Sequence, residues 1–138
     1  MNNFQQFQSN SAQKPITNFP HSQLATYRET AKTNLQKSQI QRAQRREKAW
    51  QLVEVATSLL KEKFRATKVM VFGSLLEQDR FNLWSDIDIA AWGISPEDTF
   101  QAIGEVRELD ETIEINLVDV ETCQSELLEN ILLKGKVM

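Results

Sequence analysis

Two aspartates, Asp86 and Asp88, stand two positions apart in the string Ser85-Asp86-Ile87-Asp88-Ile89. Side chains of an extended strand alternate, so both carboxylates point to one face while Ile87 and Ile89 point to the other. Like charges held side by side repel unless one is protonated or a cation lies between them. An oxygen-only pair of this kind suits Mg²⁺, which takes one or two carboxylates and fills its shell with water and substrate phosphates. Eleven residues separate Asp86 from Gly73-Ser74, which follows the apolar run Val69-Met70-Val71-Phe72. Glycine removes the Cβ that would keep a phosphate from the backbone. Ser74 adds a hydroxyl and a backbone N–H. A short helix over 75–80 would bring partial positive charge to the same point. Singly each signal is weak, because Gly-Ser is ordinarily a turn and Asp-x-Asp ordinarily solvated surface. Together they describe a phosphate cradle beside a metal-binding pair.

Such residues need rigid elements behind them. Val69 to Phe72 is a short strand ended by the Gly-Ser turn, and Asp86 to Trp92 is a second strand that stops at Gly93. Ser95-Pro96-Glu97-Asp98 is a helix start, with serine at the cap, proline at the first helical position and acids in the first turn. That helix is expected to run to about Leu109. Residues 112–120 alternate again as a third strand, and residues 121–134 form a last helix ended by Gly135. Ahead of the first strand, Trp50, Val53, Thr57, Leu60 and Phe64 recur at steps of three and four, an amphipathic helix over 44–64 whose aromatic residues are core. Residues 22–48 contain no Gly or Pro and many helix formers, but their apolar residues are sparse, so a helix there is marginal or completed by a partner. Residues 1–21, rich in Asn, Gln and Ser, have no apolar period and read as a disordered tail. The expected architecture is α/β, a small mixed sheet flanked by helices. A helical extension over 22–45 precedes a domain over 46–138.

The 138 residues carry a net charge of −3. Residues 1–68 hold twelve Lys/Arg against four Asp/Glu, and residues 69–138 hold four against fifteen. The basic half could meet nucleic acid or an acidic partner, although a solvated helix face is the commoner meaning of such a run. Its aromatic residues follow the core stripe rather than a base-stacking pattern, so nucleic acid is not favoured. A single cysteine, Cys123, excludes an internal disulfide, and with one histidine, His21, it cannot build an ordinary zinc site. The N-terminus lacks the pattern of a signal peptide and no apolar run is long enough to span a bilayer, so a cytoplasmic location is expected.

The string Val71-Phe72-Gly73-Ser74, followed after eleven residues by Asp86-Ile87-Asp88-Ile89, resembles the signature of the DNA polymerase β-type nucleotidyltransferase superfamily. With Ser85 and the ending Ile131-Leu132-Leu133-Lys134-Gly135, it is similar to the minimal nucleotidyltransferase branch. The likeness covers about residues 46–138. It implies that Gly73 and Ser74 hold a triphosphate and that Asp86 and Asp88 bind Mg²⁺ and are catalytic. The family places a third carboxylate on a neighbouring strand, and the alignment of Ile115-Asn116-Leu117-Val118-Asp119 puts Asn116 there. Asn116 can offer a carbonyl oxygen to a metal but cannot accept the nucleophile's proton, and Glu114, two residues earlier on the same face, could substitute with its longer side chain; Asp119 should face away. Relatives often carry a basic residue soon after the serine. Here Arg80 is the first cation, placed to reach phosphate or to pair with Glu77.

The resemblance further implies an antitoxin that transfers AMP from ATP to a tyrosine of a partner HEPN ribonuclease toxin. Two alternatives stay open: a module that neutralises its partner by contact alone, with Asn116 marking a weakened site, and nucleotidyl transfer to a small molecule. No obvious second substrate-binding domain serves the latter.

Overall fold

The computed structural model describes residues 21–138. Helix α1 (His21–Glu62) leads into strand β1 (Lys68–Phe72), one 3₁₀ turn (Gly73–Leu76) and strand β2 (Ile87–Trp92). Helix α2 (Pro96–Arg107), strand β3 (Ile115–Asp119), helix α3 (Ser125–Lys134) and the two-residue strand β4 (Lys136–Val137) follow. The tail expected over 1–21 lies outside the described residues apart from His21, where α1 begins.

The strands form one mixed sheet in the order β3-β2-β1-β4. β1 runs antiparallel to β2 and β4, and β2 runs parallel to β3. A parallel pair needs a crossover, and α2 supplies it. One sheet face carries Val69, Val71, Ile87, Ile89, Ile115 and Leu117, packed with Ala49, Val53, Ala56 and Leu60 of α1 and with Ala102 and Val106 of α2. The opposite face carries Met70, Phe72 and Ala90, covered by Val120 and by Ile131 of α3. The expected α/β architecture, a small mixed sheet flanked by helices, is the one observed. Even-numbered positions of β2 and β3 share the α3 side, and there the aspartates begin.

Four local expectations change. The helices expected over 22–48 and 44–64 are one 42-residue helix, because no Gly or Pro interrupts the chain between them. Its end falls at Glu62, where Arg65 takes a left-handed conformation (φ 59°) and the Ala66 N–H reaches back 2.9 Å to the Leu60 carbonyl. The short helix expected over 75–80 is instead the 3₁₀ turn, starting at Gly73; buried Phe81 then anchors the loop that follows. Ser95 stands at the α2 cap with Pro96 after it, but its hydroxyl lies 3.0 Å from Asp98 Oδ2 rather than capping a backbone N–H, and α2 stops at Arg107. Strand β4, absent from the expected order, pairs with β1 directly after Gly135. A Cβ at Gly135 would lie 2.5 Å from the Ile131 carbonyl.

The chain falls into two compact units, Met1–Gln39 and Ile40–Met138. In the first, residues 23–37 are exposed throughout, and the Thr30 and Thr33 hydroxyls donate back to the carbonyls of Thr26 and Glu29. No described helix is long and apolar enough to cross a membrane.

Strand β3 is launched by a tight carboxylate-centred turn. Asp110 Oδ2 accepts from the Thr112 hydroxyl at 2.7 Å and from the N–H groups of Thr112 and Ile113 at 2.9 and 3.0 Å. Lys48 of α1 lies 3.1 Å from Asp110 Oδ1. The Thr112 hydroxyl above all, then Lys48 and the two N–H groups, hold the Asp110 carboxyl at about 2, against an ordinary 3.8. A depressed carboxyl stabilises the fold above its unfolded value, and that contribution disappears as pH falls through the folded value. Asp110→Asn should therefore lower the melting temperature by a few degrees at pH 7. The difference from the natural chain should shrink as pH falls from about 4 towards 2, as thermal melts over that range will show.

Candidate active site

Phe72 of β1 pairs across the sheet with Asp88 of β2, and Gly73 follows Phe72 with φ +81°. A Cβ built on Gly73 would lie 2.5 Å from Asp88 Oδ2. Glycine is therefore required twice, for its left-handed backbone and for the space that the Asp88 carboxylate occupies. The sequence pointed to close approach of a phosphate; the group that uses the missing Cβ within the chain is a carboxylate. Ser74 lies next in the 3₁₀ turn, partly buried, and its carbonyl accepts from the Glu77 N–H at 3.1 Å.

Asp88 is half-buried, and burial raises its carboxyl above the usual range. Asn116 opposes this with a hydrogen bond, while the charge of Asp86 adds to the rise. Asp88 and Asn116 are direct partners in the parallel β2–β3 ladder, and the Asn116 Nδ2 donates to Asp88 Oδ1 at 3.4 Å. Asp86 precedes the first residue of β2 and is partly buried. Gly73, Asp86, Asp88 and Asn116 are thus brought together at one end of the sheet, with Ser74 next to Gly73.

Glu114 and Arg80 are engaged elsewhere. The Glu114 carboxylate accepts from Arg107 Nε at 2.6 Å and also meets Arg107 Nη2, which draws it to the end of α2. Arg80 Nη1 lies 3.2 Å from Glu77 Oε2, both side chains exposed, so its partner in the fold is a carboxylate of its own loop. Asp119 accepts from the Glu121 N–H at 3.2 Å and shapes the turn after β3. Among the described residues no three Asp, Glu, His or Cys side chains gather to hold a metal. The donor set at hand is Asp86 and Asp88 with the amide of Asn116. Two carboxylates, one with proton affinity raised by burial and further by its neighbour's charge, fit a hydrated divalent cation that completes its shell with water and phosphate.

A family model described as polymerase beta, nucleotidyltransferase, matches residues 54–138. The chain belongs to this family. No curated protein and no solved structure matches it. The shared chemistry is nucleotidyl transfer, which in this family generally uses a nucleoside triphosphate and a divalent cation. In this nucleotidyltransferase the matched span contains the whole Gly-Ser turn, both aspartates and β3, and it begins within α1.

Three arginines upstream of that span were read in the sequence only as part of a basic helix. Arg46 Nη2 donates to the Leu75 carbonyl at 3.1 Å. Arg45 donates to the carbonyls of Ser85 at 2.9 Å and Thr112 at 3.0 Å, and Arg42 to that of Asp79 at 3.1 Å. Their spacing, i, i+3, i+4, puts them on one helix face just ahead of Ala49 and Val53, the one signal that could have set them apart from solvated charge. Trp84, 84% exposed two residues before Asp86, carries no sequence signal that sets it apart.

The raised Asp88 carboxyl has a definite consequence for stability. The folded chain holds the proton more tightly than the unfolded chain, so stability falls as pH rises from 3.8 through the raised value and stays lower above it. In metal-free buffer at pH 7, Asp88→Asn should therefore melt above the natural chain, and the gap should close near pH 3. Mg²⁺ should raise the melting temperature of the natural chain, and the same variant should lose most of that rise. Calorimetry with and without Mg²⁺ reads both effects. A variant that melts lower at pH 7 without metal would contradict the cost of burying the Asp88 charge described here.

Proposed function

We propose that this domain transfers AMP from ATP, in a Mg²⁺-dependent reaction, to a tyrosine hydroxyl of a HEPN-type ribonuclease toxin and thereby acts as its antitoxin. The observation that carries the reading is the Asp88 carboxylate, half-buried and lodged against Gly73, with Asp86 two residues away: an acid pair at the turn that would cradle a triphosphate. Asp86 and Asp88 would hold the cation, which when bound supplies charge stabilisation at the phosphates. Gly73 and Ser74 offer backbone and hydroxyl to the triphosphate. In the transfer, the tyrosine oxygen bonds to the α-phosphorus, the bond from that phosphorus to the bridging oxygen breaks, and pyrophosphate leaves. The hydroxyl proton must go to a base, and Asn116 has no place for it. Glu114 is the nearest carboxylate in sequence and would have to leave Arg107 to take the proton.

Two features support a protein acceptor. Trp84 exposes a large apolar surface two residues from Asp86. In α1, Leu24, Tyr27 and Leu35 are exposed on a helical segment that has too few apolar residues for a core of its own, the pattern of an extension that a partner covers. A second reading, neutralisation by contact alone, is favoured by Asn116 opposite Asp88 and by the Glu114–Arg107 pair, since no free third carboxylate faces the two aspartates. Transfer to a small molecule remains the third reading, with no feature of the site in its favour.

Incubation with Mg²⁺, α-labelled ATP and a HEPN-type ribonuclease that the chain neutralises should label that ribonuclease on tyrosine. The double change Asp86→Ala, Asp88→Ala should abolish labelling and leave the fold intact, because neither side chain belongs to the core. Glu114→Gln should slow labelling on the order of 10²-fold if Glu114 takes the proton. Asn116→Asp should speed it if the missing carboxylate limits turnover. Protection from the toxin that survives the double change, with no labelling by the natural chain, selects contact alone. Labelling undiminished in the double variant refutes the site.

A further inference from the structure

We infer that Arg45 and Arg46 are positioning residues, which fix the two halves of the nucleotide site against each other from the part of α1 that precedes the family's matched span. The inference rests on the reading that Asp86 and Asp88 with Gly73-Ser74 form that site.

The two halves lie on separate backbone segments, and each leaves regular structure where it matters most. Asp86 stands one residue ahead of β2, so ladder pairing does not place it. The first ladder bond beside it runs from the Ile87 N–H to the Glu114 carbonyl, 2.9 Å. Arg45 reaches past that point. Its two Nη atoms donate to the carbonyls of Ser85 and Thr112, which precede the parallel strands β2 and β3. One planar fork therefore joins the two segments where backbone pairing has not begun. It pins the residue next to Asp86 and the approach to Asn116.

Arg46 does the corresponding work on the other half. Its Nη2 holds the Leu75 carbonyl, one residue after Ser74. Adjacent residues of one helix thus grip both sides of the site. The Nε atoms of Arg45 and Arg46 are buried without a partner. Each guanidinium is held in its place even though one of its donors goes unsatisfied, which marks the carbonyl contacts as the ones the geometry favours. Lysine has no fork, and its ammonium on a flexible stem would serve one carbonyl less firmly. A catalytic constellation tolerates little misplacement, so loss of these contacts should reach binding before it reaches the fold.

The test measures local amide exchange and Mg·ATP affinity on the full chain, with melting temperature alongside. Arg45→Ala should quicken exchange at residues 85–88 and 114–116 and weaken Mg·ATP binding by about tenfold or more. Arg46→Ala should quicken exchange at residues 74–77 instead. Low millimolar guanidinium should restore part of the Mg·ATP affinity of Arg45→Ala, an effect that a general loss of stability would not produce. Should Arg45→Ala fail to fold, Arg45→Lys takes its place with the same measurements and a smaller expected loss. Natural affinity and natural exchange in the folded variants would overturn the inference alone. A uniform rise in exchange across the whole sheet, without guanidinium rescue, would also overturn it. Failure of the natural chain to bind Mg·ATP would overturn the reading of the site, and the inference with it.

Discussion

Two carboxylates held close together, one half-buried against a glycine, set the constraint on which the rest of this domain depends. Water would let Asp86 and Asp88 separate and hydrate. The sheet does not, because Asp88 is paired with Phe72 on one side and Asn116 on the other. The proton affinity of Asp88 rises through burial first and the charge of Asp86 second. A core of Val71, Ile87, Ile89 and Ile115 behind the site keeps the backbone from yielding. Such an arrangement is unfavourable by itself, and a bound cation would offset the cost, which is the usual relation between strain at a site and the ligand that relieves it.

The alternation that places acids on one face and isoleucines on the other is local, so the Asp pair and its strand could be read from a few residues. The turn at Gly73-Ser74 could be read for the same reason. What could not be read were relations set by register and by distant contacts. That the missing Cβ of Gly73 makes room for Asp88 follows from pairing of β1 with β2, fifteen residues further on. Arg45 and Arg46 looked like solvated charge because the carbonyls they hold lie between 29 and 67 positions away. Strand β4 is two residues long, too short for any period to show. The join between the two expected helices failed as a boundary because only sparse apolar content, and no helix breaker, marked it.

The same arginines change the meaning of the charge asymmetry. A basic first half reads in the sequence first as a solvated helix face and second as a surface for nucleic acid or an acidic partner. Arg42, Arg45 and Arg46 instead act within the compact unit that begins at Ile40, as donors to carbonyls of the loops around the site. Guanidinium groups suit this task because they stay charged and present several donors in fixed directions. The helix that buries Val53 and Leu60 under the sheet thus also braces the loops at its end. Packing and site geometry share one element, and a shift of α1 would disturb both.

The proton of the attacking hydroxyl imposes the last constraint. Asn116 occupies the ladder position facing Asp88, where its amide donates a hydrogen bond and cannot accept the proton. Glu114 can accept it, but Arg107 holds its carboxylate. That pair is open to solvent, with side-chain exposures of 59% and 42%. Exposed ion pairs are worth about 0–1 kcal/mol, and 1.4 kcal/mol corresponds to about a tenfold change in rate. Releasing Glu114 from Arg107 therefore costs less than about tenfold in turnover. A larger deficit cannot come from the ion pair. Under the proposed function such a deficit falls to Asn116, whose amide faces Asp88 and cannot take the proton.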